Sequence, residues 1–366
     1  MKLVRPTLLL DEVKCKKNIQ HITEKARKAH VKLRPHFKTH QSHVVGAWFR
    51  EVGINSCTVS SIKMAAYFAR DGWDDITVAF PLNYLEVEEI NRLAKVCKLN
   101  LCIVSVDALK KLTEKLTQSI HCQIEIDTGY HRTGVDATNY PAIDEIVSFI
   151  STHPLLTFKG FLSHAGHSYA ARSSSEILKI HMDSVALMKT IGDRYRNKFP
   201  KLELSVGDTP TCSVATDFSS IDEVRPGNLV FYDLMQRVIG ACTSEQIAIA
   251  MACPVVAIYP ERNEVIVHGG GVHFSKDFLK TEDGTICFGE VVKLTSQGWE
   301  QPARPVYVKS LSQEHGILAV PAPEIQKIKI GDVLGILPVH ACLTADAMGE
   351  YVTLDGKVIG AMAGSA

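Results

Sequence analysis

Short apolar runs rich in β-branched residues alternate with helix-length amphipathic segments through the first two thirds of the chain. Residues 33–37, 55–60, 76–80, 101–106, 122–127, 157–162, 202–206 and 222–225 read as eight strands, the last being the shortest. Between them, residues 41–51 and 62–70 carry helical spacing and stop at Gly53 and at Asp71-Gly72. The charged amphipathic run 84–98 follows Pro81, and Asp107 offers an N-cap for a helix after the fourth strand. Strands separated by helix-length segments imply parallel pairing through crossover helices. Eight such units are the number that closes a (β/α)8 barrel. An open doubly wound sheet is the alternative, since alternation alone does not show closure. No Gly-x-Gly-x-x-Gly follows an early strand to favour it. The pattern therefore predicts an α/β protein with a TIM-type barrel over residues 11–240.

After about residue 245 the period changes. Residues 255–258, 264–268, 290–294, 306–311, 316–320, 333–337 and 351–359 are β-type runs separated by Gly, Pro and Asp-Gly turns. No helical segment is read between them, so residues 241–366 are predicted to form a mostly antiparallel β domain. There is no internal repeat, low-complexity tract or long linker, and the two domains are expected to pack directly on each other.

Composition narrows the function. The 366 residues include 40 basic and 40 acidic side chains. Zero net charge gives no electrostatic footprint for nucleic acid or an anionic membrane. No apolar run approaches the ~18–20 residues of a membrane span, and the N-terminal residues lack a signal-peptide pattern. Ten cysteines are scattered, mostly inside apolar runs, with no Cys-x-x-Cys. They read as small unpaired core residues in a reducing, cytoplasmic setting.

In a barrel, chemistry gathers where strands end. Lys38, in Arg34-Pro35-His36-Phe37-Lys38-Thr39-His40, leaves the first strand. Partial desolvation there would lower its amine pKa and make it a nucleophile able to form a Schiff base with a carbonyl such as pyridoxal phosphate. An ordinary surface lysine fits the same context. Gly207, Thr209 and Thr211 follow strand seven, and Gly227 and Asn228 follow strand eight, where barrels often hold a phosphate; two ordinary tight turns would look the same. In His164-Ala165-Gly166-His167-Ser168-Tyr169, small neighbours would let a flat ligand lie on the backbone. There His164 could stack on a ring and Tyr169 bond its edge, though a structural histidine reads equally well. Arg132, in the loop from Gly129 to Gly134, could face a phenolate or carboxylate, or could be merely solvated. His340 and Cys342, two apart on an extended segment, would point to one side and could grip a zinc ion. About 0.4 such pairs are expected by chance in a chain with 15 His and 10 Cys.

Taken together, the Thr7-Leu8-Leu9-Leu10-Asp11 start, the Lys38 motif, the Gly129–Gly134 loop, the His164–Tyr169 run and Arg225-Pro226-Gly227-Asn228 resemble the alanine racemase-like pyridoxal-phosphate enzymes. Within that group the sequence is most similar to the D-serine dehydratase and D-threonine aldolase family, from about residue 5 to about 350. Residues 230–236 and the His-x-Cys segment resemble its eukaryotic-type dehydratase branch. The resemblance implies that Lys38 carries the cofactor. Gly207, Thr209, Thr211, Gly227 and Asn228 would hold its phosphate. Arg132 would face its phenolic oxygen, His164 would lie against its ring, and Tyr169 would sit near its nitrogen. His340 and Cys342 would bind zinc. It further implies a homodimer in which residues 1–10 pack with the β domain. The implied reaction is dehydration of D-serine or a related D-β-hydroxy amino acid to a 2-oxo acid and ammonia. The alternative is a D-threonine aldolase, whose second metal ligand is typically aspartate and whose metal is Mn²⁺-like. A racemase and a non-catalytic cofactor carrier are further from the pattern. The sequence assigns no chemical duty to His36, His40, His43 or His167.

Overall fold

A computed structural model describes residues 2–281 and 283–362; residues 1, 282 and 363–366 of the predicted domains lie outside it. The chain opens with β1 (Thr7–Leu10) and α1 (Glu12–Lys28). The parallel strands follow: β2 (Lys32–Leu33), β3 (Cys57–Val59), β4 (Asp75–Pro81), β5 (Lys98–Ile103), β6 (Ile120–Asp127), a two-residue β7 (Val135–Asp136), β8 (Leu156–Ser163), β9 (Glu203–Val206) and β10 (Glu223–Val224). Their pairing order is β2-β10-β9-β8-β6-β5-β4-β3, with β7 added beside β6. A parallel bridge between His36 and Thr58 joins the two ends. Phe37 N–H donates to Thr58 O (2.8 Å) and Thr58 N–H to Pro35 O (2.9 Å), so the sheet closes as a barrel.

The crossover helices are α2 (His43–Glu51), α3 (Ile62–Arg70), α4 (Val87–Ala94), α5 (Val106–Thr113), α6 (Tyr140–Thr152), α7 (Ser174–Arg196) and α8 (Thr209–Val214). Two boundaries differ from the sequence reading. The cap of α5 is Ser105, whose side chain accepts from Asp107 N–H, so the fourth barrel strand ends at Ile103 and Asp107 lies inside the helix. The 84–98 run is helical only to Ala94, and Lys98 already pairs in β5. Helix α1 shows why these segments dock: Cys15, Ile19, Ile22 and Ala26 recur at helical spacing and all are buried.

The barrel floor is polar. Arg34, fully buried, donates from Nε to Glu223 Oε2 (2.6 Å) and from both terminal nitrogens to Asp75 (2.8 and 3.1 Å). Burial alone would raise the Glu223 carboxyl, but Arg34 and Lys159 hold it at about 2. Ser205 Oγ donates to Glu223 and accepts from Arg225 Nε (2.7 Å), carrying the network up to the mouth.

A short α9 (Leu234–Val238) leads to the second domain, built from β11 (Ile249–Tyr259), β12 (Glu264–His268), β13 (Leu279–Lys280), β14 (Ile286–Cys287), β15 (Gly289–Thr295), β16 (Gly298–Glu300), β17 (Tyr307–Leu311), β18 (His315–Ala319), β19 (Val333–Pro338), β20 (Glu350–Thr353) and β21 (Val358–Gly360). The main sheet runs β12-β18-β17-β15-β19-β11-β1-β20-β21, and a β11–β12 pairing closes its first six strands on themselves. Thus β1 lies between β11, antiparallel, and β20, parallel. The region also contains helices absent from the sequence reading: α10 (Gly271–Phe274), α11 (Ala322–Ile325) and α12 (Ala341–Met348). The last is alanine-rich and ends on Gly349 in the left-handed region (φ 65°). The predicted run 351–359 splits into β20 and β21 around Gly356. All ten cysteines are free, and no helix among the described residues is long and apolar enough to cross a membrane.

Candidate active site at the barrel mouth

Phe37 and Thr39 are both fully buried, and the turn between them lifts Lys38 out into the open mouth. Its side chain is exposed, as in the surface-lysine reading that the sequence left open, because its neighbours take the inward positions. Lys38 N–H donates to His36 Nδ1 (3.3 Å). Burial holds His36 well below the usual histidine range, and the charges of Lys38, Arg225, His164 and Arg132 push the same way. One small volume therefore gathers Lys38, Arg132 and Arg225 around neutral imidazoles. Arg225, which strand reasoning passed over, is buried and donates to Ser163 O (2.6 Å).

His164 Nδ1 donates to Gly207 O, which fixes the ring. Burial lowers its pKa to about 3, so it is neutral. Tyr169 lies 6.3 Å from it, centroid to centroid, and its oxygen accepts from Thr209 N–H (3.3 Å). Burial, followed by the charge of Asp208, keeps that phenol protonated. Tyr130 covers Gly166: a Cβ there would stand 2.3 Å from its ring. Arg132 lies over the Tyr130 ring (5.2 Å). Its loop is held by Asp127, which accepts from Gly129 and His131 N–H, and by Thr133, which donates to Glu125.

The loop after strand seven presses on the end of strand eight, and the loop after strand eight presses on strand one. A Cβ at Gly207 would lie 2.8 Å from Arg225 Cβ, and one at Gly227 would lie 2.8 Å from His36 O. Thr209 Oγ1 is buried without a partner among the described residues. Thr211 spends both N–H and O–H on Asp208, the cap of α8, which Ser168 also bonds. Its hydroxyl thus shapes the loop from behind. Asn228 donates to Asp233 (2.6 Å) and lies 3.6 Å from Cys342 Sγ.

His340 and Cys342 do meet, but not on an extended segment. His340 is the N-cap of α12, with extended backbone, and Cys342 is already helical. Burial opposes a charge on His340, yet its hydrogen bond to Cys342 and nearby carboxylates raise it to about 9. Burial likewise opposes a thiolate, but His340, Lys38 and Thr39 bring Cys342 below its ordinary value. Thr39 Oγ1, adjacent to Lys38, is 3.2 Å from Cys342 Sγ. Asp233 accepts from Ala341 N–H (2.9 Å) and Gln236 N–H (2.9 Å), tying loop eight to α12. Asp277 Oδ2 lies 2.6 Å from His340 Nδ1. Asp233 and Thr39 lie within motifs read from the sequence but were given no role there, and Asp277 lies in none; each acts on a residue more than sixty positions away. Of the remaining histidines, His40 is caged by Phe37, Phe49 and Phe68, and His43 stacks on Tyr67 (3.8 Å). His167 stacks loosely on Tyr130 at 6.4 Å.

His268, His273 and Glu314 form another set with metal-capable atoms within 4.8 Å of one another. Gly270 N–H donates to His273 Nδ1 (3.1 Å), which leaves the proton of the neutral ring on Nε2, 3.8 Å from Glu314 Oε2. With Nδ1 accepting from Gly270 and the proton on Nε2, the neutral His273 ring has no free lone pair to offer a metal.

A closed (β/α)8 barrel joined to a β domain, with a lysine at the mouth, defines an alanine racemase-like enzyme. Residues 10–234 match the family described as "Alanine racemase, N-terminal domain", and residues 248–354 match "Putative serine dehydratase domain". The chain belongs to this family, in its serine dehydratase branch, and is a lyase. It is 27% identical to the D-serine dehydratase of Dictyostelium discoideum over 96% of this chain and 94% of that protein. It is 30% identical to the D-threo-3-hydroxyaspartate dehydratase of Delftia sp. HT23, over 98% and 96% respectively. The solved Delftia structure superposes with a TM-score of 0.90, covering 98% of both chains. A cysteine-to-alanine variant of that enzyme, in its metal-free form, superposes equally well at 28% identity. A D-threonine aldolase from Arthrobacter is 25% identical over only 36% of this chain and 35% of its own.

Proposed function

We propose that this chain is a pyridoxal-phosphate- and zinc-dependent dehydratase that converts D-serine, or a related D-β-hydroxy amino acid, to a 2-oxo acid and ammonia. One observation carries the reading. The Lys38 ammonium and the His340–Cys342 pair are close enough to act on each other electrostatically, and Thr39, the neighbour of Lys38, contacts Cys342 at 3.2 Å. The residues present fit an anionic aldehyde cofactor. Lys38 would hold it covalently. The orphaned Thr209 hydroxyl and the close-packed Gly207 and Gly227 loops, with Asn228, suit its phosphate, and Thr211 supports that loop. Arg132, His164 and Tyr169 would surround the ring. A nitrogen–sulfur pair suits zinc, and His340 with Cys342 would leave other positions open.

Bound pyridoxal phosphate would supply the electron sink for charge developing at Cα, and zinc the Lewis acidity that a poor hydroxide leaving group needs. The protein's own part is positional. Lys38 would be the amine that holds the cofactor and the base that takes the α-proton. Arg132 offers charge to an anionic oxygen, and the neutral Tyr169 hydroxyl donates without itself ionising. Cys342, where an aldolase would typically present a carboxylate, favours elimination over carbon–carbon cleavage.

The test is product identity. Zinc-loaded protein should release pyruvate and ammonia from D-serine, read by coupled reduction of the oxo acid. Lys38→Ala should abolish this and Cys342→Ala should reduce it strongly. Glycine and acetaldehyde from D-threonine, without oxo acid from either substrate, would overturn the reading in favour of the aldolase. The family resemblance also supports a homodimer, which sedimentation equilibrium measures.

A further inference from the structure

We propose that Asp277 is a positioning residue for the His340 metal ligand, an inference that rests on the metal reading above. Asp277 lies on the segment between α10 and β13, far from α12 in sequence, and its Oδ2 sits 2.6 Å from His340 Nδ1. An ionised carboxylate only accepts, so this contact keeps a ring proton on Nδ1 and makes Nε2 the nitrogen whose proton a metal would displace. Metal-ligating histidines need that arrangement: the second nitrogen donates to an oxygen, which fixes tautomer and ring plane and raises ligand basicity.

The scaffold behind Asp277 is built to hold this geometry. Gly271 N–H and Val272 N–H donate to Ser312 O (2.7 Å) and Gln313 O (3.2 Å), anchoring α10 to the β17–β18 turn. Phe274 is buried, and Thr344 Oγ1 lies 3.1 Å from Phe274 O and 3.0 Å from His340 O, stitching α10 to the start of α12. Asp277 N–H donates to Ser275 Oγ (3.3 Å). The two side chains are 38% and 30% exposed. A pair this open contributes little to folding stability. Orientation of the imidazole is then the property that the contact governs.

The experiment measures zinc affinity of metal-stripped, cofactor-loaded protein by competition with a chromophoric chelator. Removal of an outer-shell partner of this kind typically weakens binding about 10–100-fold. We expect a loss in that range for Asp277→Ala, a smaller loss for Asp277→Glu, and thermal midpoints close to the parent for both. Cobalt(II)-substituted Asp277→Ala should keep its thiolate charge-transfer band while its ligand-field bands shift. If Asp277→Ala binds zinc as tightly as the parent while His340→Ala does not, the positioning role is wrong and the metal site stands. If His340→Ala also binds as the parent does, the metal reading itself fails, and this inference with it.

Discussion

Replacing Gly227 with alanine probes the contact that brings loop eight against the Lys38 turn. The new Cβ would stand 2.8 Å from His36 O, 2.9 Å from His36 Cβ and 3.3 Å from Thr39 Oγ1. Ordinary contact begins near 3.4 Å, so loop and strand must separate by about 0.6 Å. The nearest of these atoms is backbone, which cannot rotate aside. Overpacking of this kind costs about 1–3 kcal/mol. A shift of that size in a positioned amine or phosphate loop can lower turnover up to ~100-fold. Gly360 is the matched control: nothing lies within 4 Å of its Cβ position, and alanine there should be neutral or stabilise by about 0.4–1 kcal/mol. Urea midpoints of both variants report the stability term. Absorbance titration of stripped protein with pyridoxal phosphate reports the site. The reasoning is refuted if Gly227→Ala matches Gly360→Ala in both measurements.

Arg34→Met leaves Glu223 and Asp75 to Lys32, 3.6 Å from each, with Lys159 acting on Glu223 at longer range, and should cost up to about 3–5 kcal/mol; a double-mutant cycle with Glu223→Gln should recover part of it, and additive losses would deny the pairing. His40 is buried and held at about 3, chiefly by burial, against about 6.5 when unfolded. Below pH 6.5 the unfolded chain therefore binds a proton that the folded one refuses, and stability should fall by about 1.4 kcal/mol per pH unit from this residue. His40→Gln should make the decline between pH 6.5 and 5 shallower; an unchanged slope would assign it elsewhere. Asp233→Ala leaves the amides of Ala341 and Gln236 without their acceptor, at about 1–3 kcal/mol for each buried donor, and should weaken cofactor and zinc binding together. Loss of only one would show that loop eight and α12 are independent.

The eight-strand alternation was legible because each parallel strand is buried on both faces and reads as an apolar run bounded by turns. Lys38, His164, Thr209, His340 and Cys342 were legible because they stand at strand ends or in short motifs. What the pattern could not carry was the geometry between distant segments. The exposure of Lys38 depends on which neighbours turn inward, and the pairing of His340 with Cys342 on a helix starting between them. Period-2 reasoning expected His340 and Cys342 to meet on an extended segment; they meet instead at a helix start, since an N-cap and the second residue of its helix can also converge. The packing of Tyr130 over Gly166 joins the loops after two neighbouring strands, which no local motif announces. Asp277 lies in an undistinguished Ser-Lys-Asp turn, and only folding sets it beside an imidazole 63 positions on.

Because β1 is zipped between β11 and β20, neither half of this molecule is self-contained. During synthesis the first strand must wait, with unpaired amides, until more than two hundred later residues have emerged. A cut in the connection before β11 would give one fragment carrying a lone sticky strand and another carrying the slot that it fills. Such fragments should be poorly behaved apart and reassemble on mixing, which makes that junction a natural place for a split reporter.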